Sequence, residues 1–158
     1  MEFVLVGIPA IFIVISTVEL SRGMWNYHTL CRAVNEGARL ASIRGEGCTK
    51  AGNTCSVTVG TIATTIATAA VGLPPANFNV TLTTDSGAAT PCNPLNSCLS
   101  STTVWPPSTN SDNQAGKNVT LNATYSFRSA MAMFWPGQGT VQFSAVTLPA
   151  SSTQRILF

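Results

Sequence analysis

Apolar residues follow three different rhythms along this chain. From Phe3 to Leu20 they are nearly unbroken, eighteen residues with one carboxylate, Glu19, close to the end. A helix rising about 1.5 Å per residue covers roughly 27 Å over that length, close to the hydrocarbon thickness of a bilayer. The run lacks the basic leading segment and small-residue cleavage site of a secretory signal. Its N-terminal position and density of Val, Ile, Leu and Phe favour a membrane helix over the core helix of a soluble domain. Gly7 and Pro9 predict a kink or local unwinding early in it. Beyond Glu19 the pattern becomes one-sided. Met24, Tyr27, Cys31, Val34, Ala38 and Ala41 follow one another at spacings of 3, 4, 3, 4 and 3, which marks a helix laying one face on a partner. With no loop signal between the two halves, Glu2 to Arg44 reads as a single helix that ends near Arg44-Gly45.

Off that stripe, Arg32 and Glu36 stand at i,i+4 and Glu36 and Arg39 at i,i+3, pairs that add a few tenths of a kcal/mol each on a solvated face. Gly37 is a mid-helix glycine, which costs about 1 kcal/mol relative to Ala and therefore suggests close approach by another element. The next segment, Ser56 to Val71, is rich in strand-favouring Thr and Val. Its Ile62, Ile66, Ala69 and Ala70 nevertheless recur at helical spacing, and Gly72 with Pro74-Pro75 makes a good stop, so a short helix is expected.

After the prolines the period becomes two. Phe78, Val80 and Leu82 alternate with polar residues, as do Val119, Leu121, Ala123, Tyr125 and Phe127, and again Val141, Phe143 and Ala145. Each reads as a half-buried strand, and together they predict an antiparallel sheet of about three strands covered by the helix stripe. The domain plan is then a transmembrane helix at 1–20, its amphipathic continuation at 21–45, and an α+β head at 46–158. A flexible insertion at 85–117 separates the first two strands, unusual for its length in a compact domain. Trp105 is expected to pin that insertion to the body. Met131, Met133, Phe134 and Trp135, between the last two strands, are expected to plug a core edge or touch the membrane surface.

Composition narrows the function classes. Only 9% of residues are charged, against about 25% in an ordinary soluble protein. Past residue 50 the charged side chains are Asp85, Asp112, Lys117, Arg128 and Arg155 alone, among abundant Thr, Ser and Asn. That suits a surface outside the cytoplasm. A net charge of +2 is too small and dispersed for a nucleic-acid footprint. Of five cysteines, Cys48 with Cys55 and Cys92 with Cys98 bracket short turns and are candidate local disulfides; neither pair has C-x-x-C spacing. Cys31 is expected as a small core residue.

Nothing in the chain assembles an active site. His28, the one histidine, and Cys31 share a side of the helix, but a thiol enzyme needs them in contact within a cleft beside an oxyanion-stabilising element. One histidine cannot anchor a metal site, and no phosphate loop, nucleophile elbow or placed carboxylate pair is present. No cofactor and no enzymatic activity are expected.

Glu2-Phe3 opening an apolar run with Pro9, then Val18-Glu19-Leu20-Ser21-Arg22-Gly23, then Asn35-Glu36-Gly37-Ala38-Arg39, form a combination of E-F…P, E-x-x-R and E-G-A-R elements. Over residues 2–44 it resembles the TadE-like family, the minor pseudopilins of tight-adherence (Tad/Flp) pilus machines. The likeness is looser from 56 to 148 and absent from the cysteine-bearing insertion. It implies a type IV pilin-like fold, an anchor in the bacterial cytoplasmic (inner) membrane, and a head on the extracytoplasmic side. It implies as partners the lipid bilayer, other pilin-like subunits and pilus assembly proteins, with Glu2, Glu19, Arg22, Glu36, Gly37 and Arg39 as assembly or helix-packing residues. Glu2 corresponds to the glutamate that a prepilin peptidase leaves near the mature N-terminus, where its carboxylate neutralises a neighbouring amine. Met1 stands directly before Glu2, so the peptidase enters only if a leader lies upstream. Arg22, Arg32, Arg39 and Arg44 all follow the apolar run, and the positive-inside rule alone would put the head in the cytoplasm. The paired cysteines, the charge-poor head and the resemblance favour the outside. The expected function is that of a non-enzymatic minor pseudopilin; the alternative is a membrane-anchored binding module whose 85–117 loop recognises a ligand or surface.

Overall fold

The structure is a computed structural model that describes residues 2–44, 57–129 and 145–157. Helix α1 runs without interruption from Glu2 to Ser42, through Pro9; its 41 residues reach about 60 Å at the usual rise. Hydroxyls inside the apolar half are satisfied by the helix itself. Ser16 donates to the Phe12 carbonyl, Thr17 to Ile13 and Ser21 to Thr17, each at 2.8 Å. A polar side chain bonded back one turn costs little in an apolar medium.

Helix α2 spans Val59–Ala69. The Thr58 hydroxyl caps it by accepting from the Thr61 N–H at 3.1 Å. Thr64, Thr65 and Thr68 each bond back to the preceding turn, which lets a threonine-rich segment stay helical. The opposite face buries Val59, Ile62, Ala63 and Ile66 against α1 and the sheet. Full burial of an Ile side chain contributes roughly 1.5–3 kcal/mol, and Ile62 and Ile66 are both fully buried.

Four antiparallel strands follow: β1 Phe78–Thr84, β2 Ala89–Cys92, β3 Asn118–Phe127 and β4 Val146–Arg155, in the order β2-β1-β3-β4. The period-two pattern is realised in β1 and β3. Phe78, Val80 and Leu82 turn inward opposite Tyr125, Ala123 and Leu121. The α+β, pilin-like arrangement therefore holds, with four strands rather than three. Of the third strand expected at Val141–Ala145, residues 141–144 lie outside the described residues, and Ala145 precedes β4. Strand β4 (VTLPASSTQR) alternates only in its first half: Val146, Leu148 and Ala150 share the inner face, with Ala150 buried and Leu148 packed on the core, whereas Ser152 and Gln154 continue that face with polar groups bonded to α1. Pro149 is tolerated because β4 is a sheet edge.

The 85–117 segment, read from its composition as a structureless insertion, is built from defined elements. It contains β2, short 3₁₀ turns at Leu95–Cys98 and Thr109–Ser111, and the Cys92–Cys98 disulfide. Trp105 does pin it: the side chain is buried, and the residue's backbone N–H donates to the Val57 carbonyl at 2.9 Å. The same stretch caps α2 from outside. Val59 N–H donates to Thr103 O at 2.8 Å and Gly60 N–H to Ser101 O at 3.0 Å. A Cβ at position 60 would stand 2.5 Å from that Ser101 oxygen, so only glycine allows the approach.

Candidate functional site

The assembly residues expected from the sequence all lie on α1, and the structure divides them by height along it. Glu2 is the helix's first residue. From Val6 to Val18 nearly every side chain is exposed, including Ile11, Ile13 and Val14. Among the described residues α1 is the one helix long and apolar enough to cross a membrane. Glu19 is the one buried residue in this exposed stretch of α1. It is 9% exposed, and its carboxylate accepts from Arg22 Nη1 at 2.6 Å. The Arg22 guanidinium in turn lies 5.8 Å from the ring centroid of Phe127, the last residue of β3. The E-x-x-R element thus forms an i,i+3 ion pair that seats the helix on the lower end of the sheet, with a cation–π contact as the second attachment.

One turn higher, the stripe is only partly buried. Met24 and Tyr27, expected beneath the sheet, are exposed; burial begins at Leu30 and continues through Ala33, Val34, Ala38 and Ala41. The reason is the height of the head. Strands β3 and β4 end at Phe127 and Val146, so the lower stripe passes beside their ends into an open apolar cleft of about 780 Å³ that Leu20, Met24 and Leu148 also line. Cys31 is half-buried against the core, with a free thiol. His28 is exposed and meets Tyr27 edge-on, ring centroids 5.9 Å apart.

The E-G-A-R element and the asparagine before it form the upper attachment. Gly37 is buried where α1 crosses α2 and β3, with Ile66 and Leu121 over it. Asn35 Oδ1 accepts from Ser152 Oγ and from Gln154 Nε2, both at 3.2 Å, tying α1 to the edge strand. At the helix end, Leu157 N–H donates to the Ser42 carbonyl at 3.0 Å. Glu36 and Arg39 face outward at 3.9 Å, with side chains 43% and 72% exposed; Arg32, expected to pair with Glu36, does not. Asn35 stood in the motif but not among the residues singled out, because its value depends on a strand 117 positions away.

The tip farthest from the apolar half is polar and ordered. Asp112 is 1% exposed. Its carboxylate accepts from the Thr84 hydroxyl at 2.7 Å, from the Ser86 N–H at 3.2 Å and from the Ser86 hydroxyl. Burial alone would raise its pKa, but these bonds, with the positive Lys117 nearby, outweigh it and hold the carboxyl below the ordinary range. Asp85 is lowered as well, by Lys117 at 3.1 Å and the Asn118 N–H. Sequence reading missed this group entirely.

Of the two expected disulfides, Cys92–Cys98 is formed. Cys48 and Cys55 lie outside the described residues, as do Met131, Met133, Phe134 and Trp135. Among the described residues no three His, Cys, Asp or Glu side chains cluster closely enough to hold a metal ion.

The model of the family described as TadE-like protein matches residues 1–39, which is most of α1 and none of the sheet. No curated protein and no solved structure matches the chain.

Proposed function

We propose that the chain is a single-pass, membrane-anchored minor pseudopilin of a tight-adherence pilus system or a related secretion machine, without catalytic activity. The observation that carries this reading is the coincidence of the family match with one continuous helix. From Val6 to Val18 nearly every side chain is exposed, and the upper half of the helix is the spine of a small α+β head. Such a helix has two lateral tasks. Below Glu19 it meets lipid and the apolar helices of other pilin-like subunits; above it, the helix carries the head. In this reading Glu2 enters the helix bundle with its carboxylate directed to a neighbour's amine, and Glu36 with Arg39 supplies a charged outer face for assembly proteins. The bacterial inner membrane and an extracytoplasmic head follow. The Cys92–Cys98 disulfide supports the latter, since such bonds persist in oxidising compartments.

The test is complementation in cells that lack the chain. Glu2→Ala is expected to abolish pilus assembly while the protein still accumulates in the membrane fraction. A variant with 85–117 replaced by a short turn separates the alternative. Loss of adhesion with normal pili after that replacement, and normal pili with Glu2→Ala, would overturn the assembly reading in favour of a binding module.

A further inference from the structure

Where the head sits on the helix, the two enclose a two-part cleft with no role in the assembly reading. One part, about 370 Å³, is lined by Arg22, Asn26, Asn77, Ser126 and Arg128, with Phe127 as its apolar floor. The other, about 560 Å³, shares Arg22, Asn26 and Tyr125 with the first. It runs along the helix from Trp25 down to Val18 and Thr17, and Gly72 also lines it. The first part offers two guanidinium groups among neutral hydrogen-bonding side chains; the second is a mainly apolar trough leading toward the exposed helix.

Height fixes what this cleft can meet. With Phe3–Leu20 spanning the hydrocarbon, Arg22 stands about 3 Å and Trp25 about 7.5 Å beyond its edge, inside a headgroup layer roughly 5–8 Å deep. Trp25 is 66% exposed and Val71, beside the Gly72 turn, 67%; large apolar side chains at that level suit the membrane interface. Charge points the same way. Glu19 balances Arg22, whereas Arg128 is exposed and makes no ion pair among the described residues, leaving the cleft net positive. Asp85 and Asp112 lie at the opposite end of the sheet, beyond Thr84 and Asn118, and Glu36 is almost four helical turns higher. Arginine forks match phosphate oxygens in geometry as well as charge.

We propose that this cleft binds one anionic phospholipid, its phosphate between Arg22 and Arg128, its headgroup beside Trp25 and its glycerol and upper acyl chain along Val18. The site rests on the membrane-anchor reading of α1 and adds a specific lipid contact to it. Free phosphate would meet the same arginines but has no use for the apolar trough, so the two sources are separable.

The experiment uses the full chain in phosphatidylcholine nanodiscs doped with spin-labelled phosphatidylglycerol or spin-labelled phosphatidylcholine. The readout is the motionally restricted fraction of each label. The expected preference for phosphatidylglycerol is about fivefold, the order expected of a single basic residue at a membrane surface. Arg128→Gln is expected to remove it, and so is Asn77→Asp, which leaves both arginines in place and adds a repelling carboxylate. Equal restriction of the two labels, or a preference that survives both substitutions, overturns the proposal. Displacement of the restricted phosphatidylglycerol by millimolar inorganic phosphate overturns it in favour of a free-phosphate site. Failure of the chain to float with lipid after an alkaline carbonate wash is a separate result, and it would sink the anchor reading itself.

Discussion

Gly37 of α1 lies so close under Ile66 of α2 that a Cβ at position 37 would stand 2.5 Å from Ile66 Cγ1 and 2.8 Å from its Cδ1, with Leu121 Cδ2 at 3.1 Å. Ile66 and Leu121 are both fully buried, so neither can swing away without displacing other core side chains. This single contact joins the long helix, the short helix and the central sheet.

Gly37→Ala is therefore expected to destabilise the head, although alanine is the better helix former by about 1 kcal/mol. Overpacking of a filled core costs about 1–3 kcal/mol, which leaves a net loss of up to about 2 kcal/mol. Gly23→Ala is the matched control. Its Cβ would meet only the Phe127 ring at 3.9 Å, an ordinary contact, so the helix propensity gain should survive. Thermal unfolding of the two variants in the same detergent checks this. Equal melting temperatures would mean that the α1–α2 crossing has slack the structure does not show.

Asn35→Ala removes the acceptor shared by Ser152 and Gln154. Hydrogen bonds of this kind contribute about 0.5–1.5 kcal/mol each, and these are partly solvated, so a loss near 1 kcal/mol is expected. The effect should be local. Strand β4 is a sheet edge, and amide hydrogen exchange is expected to accelerate along Ser151–Arg155 while β1 keeps its protection. Uniform acceleration across the sheet would show instead that Asn35 holds the whole head.

Reduction of Cys92–Cys98 tests the role of the 85–117 segment. Closing so short a loop stabilises by about 2 kcal/mol in the chain-entropy view. Trp105 is buried and bonded to Val57, and Gly60 to Ser101, outside the disulfide loop. A Cys92→Ser/Cys98→Ser chain is thus expected to fold with a lowered melting temperature and with the tryptophan environment unchanged in near-UV circular dichroism. Loss of that signal before global unfolding would show that the disulfide, rather than the α2 contacts, holds Trp105.

These relationships differ in how far the sequence reveals them. Helix α1 and strands β1 and β3 are legible because one physical demand, burial of one face, sets their apolar period. Gly37 is legible as an apparent penalty within a helix, and Glu19 with Arg22 as a pair at i,i+3 spacing. Strand β4 is legible at most in its first half, where Val146, Leu148 and Ala150 alternate with Thr147, Pro149 and Ser151, since its later inner positions Ser152 and Gln154 are satisfied by Asn35 rather than by apolar neighbours. Met24 and Tyr27 mislead for the opposite reason: the helical period runs on below the end of the sheet that should cover it. Asp112 looks like a solvated loop residue among Ser, Thr and Asn, because its partners Thr84 and Ser86 are 28 and 26 positions away.

That buried carboxylate sets how the head responds to acid. Burial pushes the Asp112 pKa up, but the bonds from Ser86 and Thr84, helped by Lys117, bring it net below its ordinary value of 3.8. The folded state thus holds its proton less tightly than the unfolded chain does. The resulting stability is fully present above the unfolded value and is lost as pH falls through the lower folded value. Asp85 has the same sign, through Lys117 and Asn118, but as an exposed group it adds less. The melting temperature is expected to be flat between about pH 5 and 8 and to fall below about pH 4. Asp112→Asn is expected to be less stable at neutral pH by about 1–3 kcal/mol, because an amide leaves hydroxyl donors without their shared acceptor. It should also show a shallower fall in acid. If the variant kept the wild-type slope below pH 4, the acid response would have to originate away from the Thr84–Ser86–Asp112 cluster.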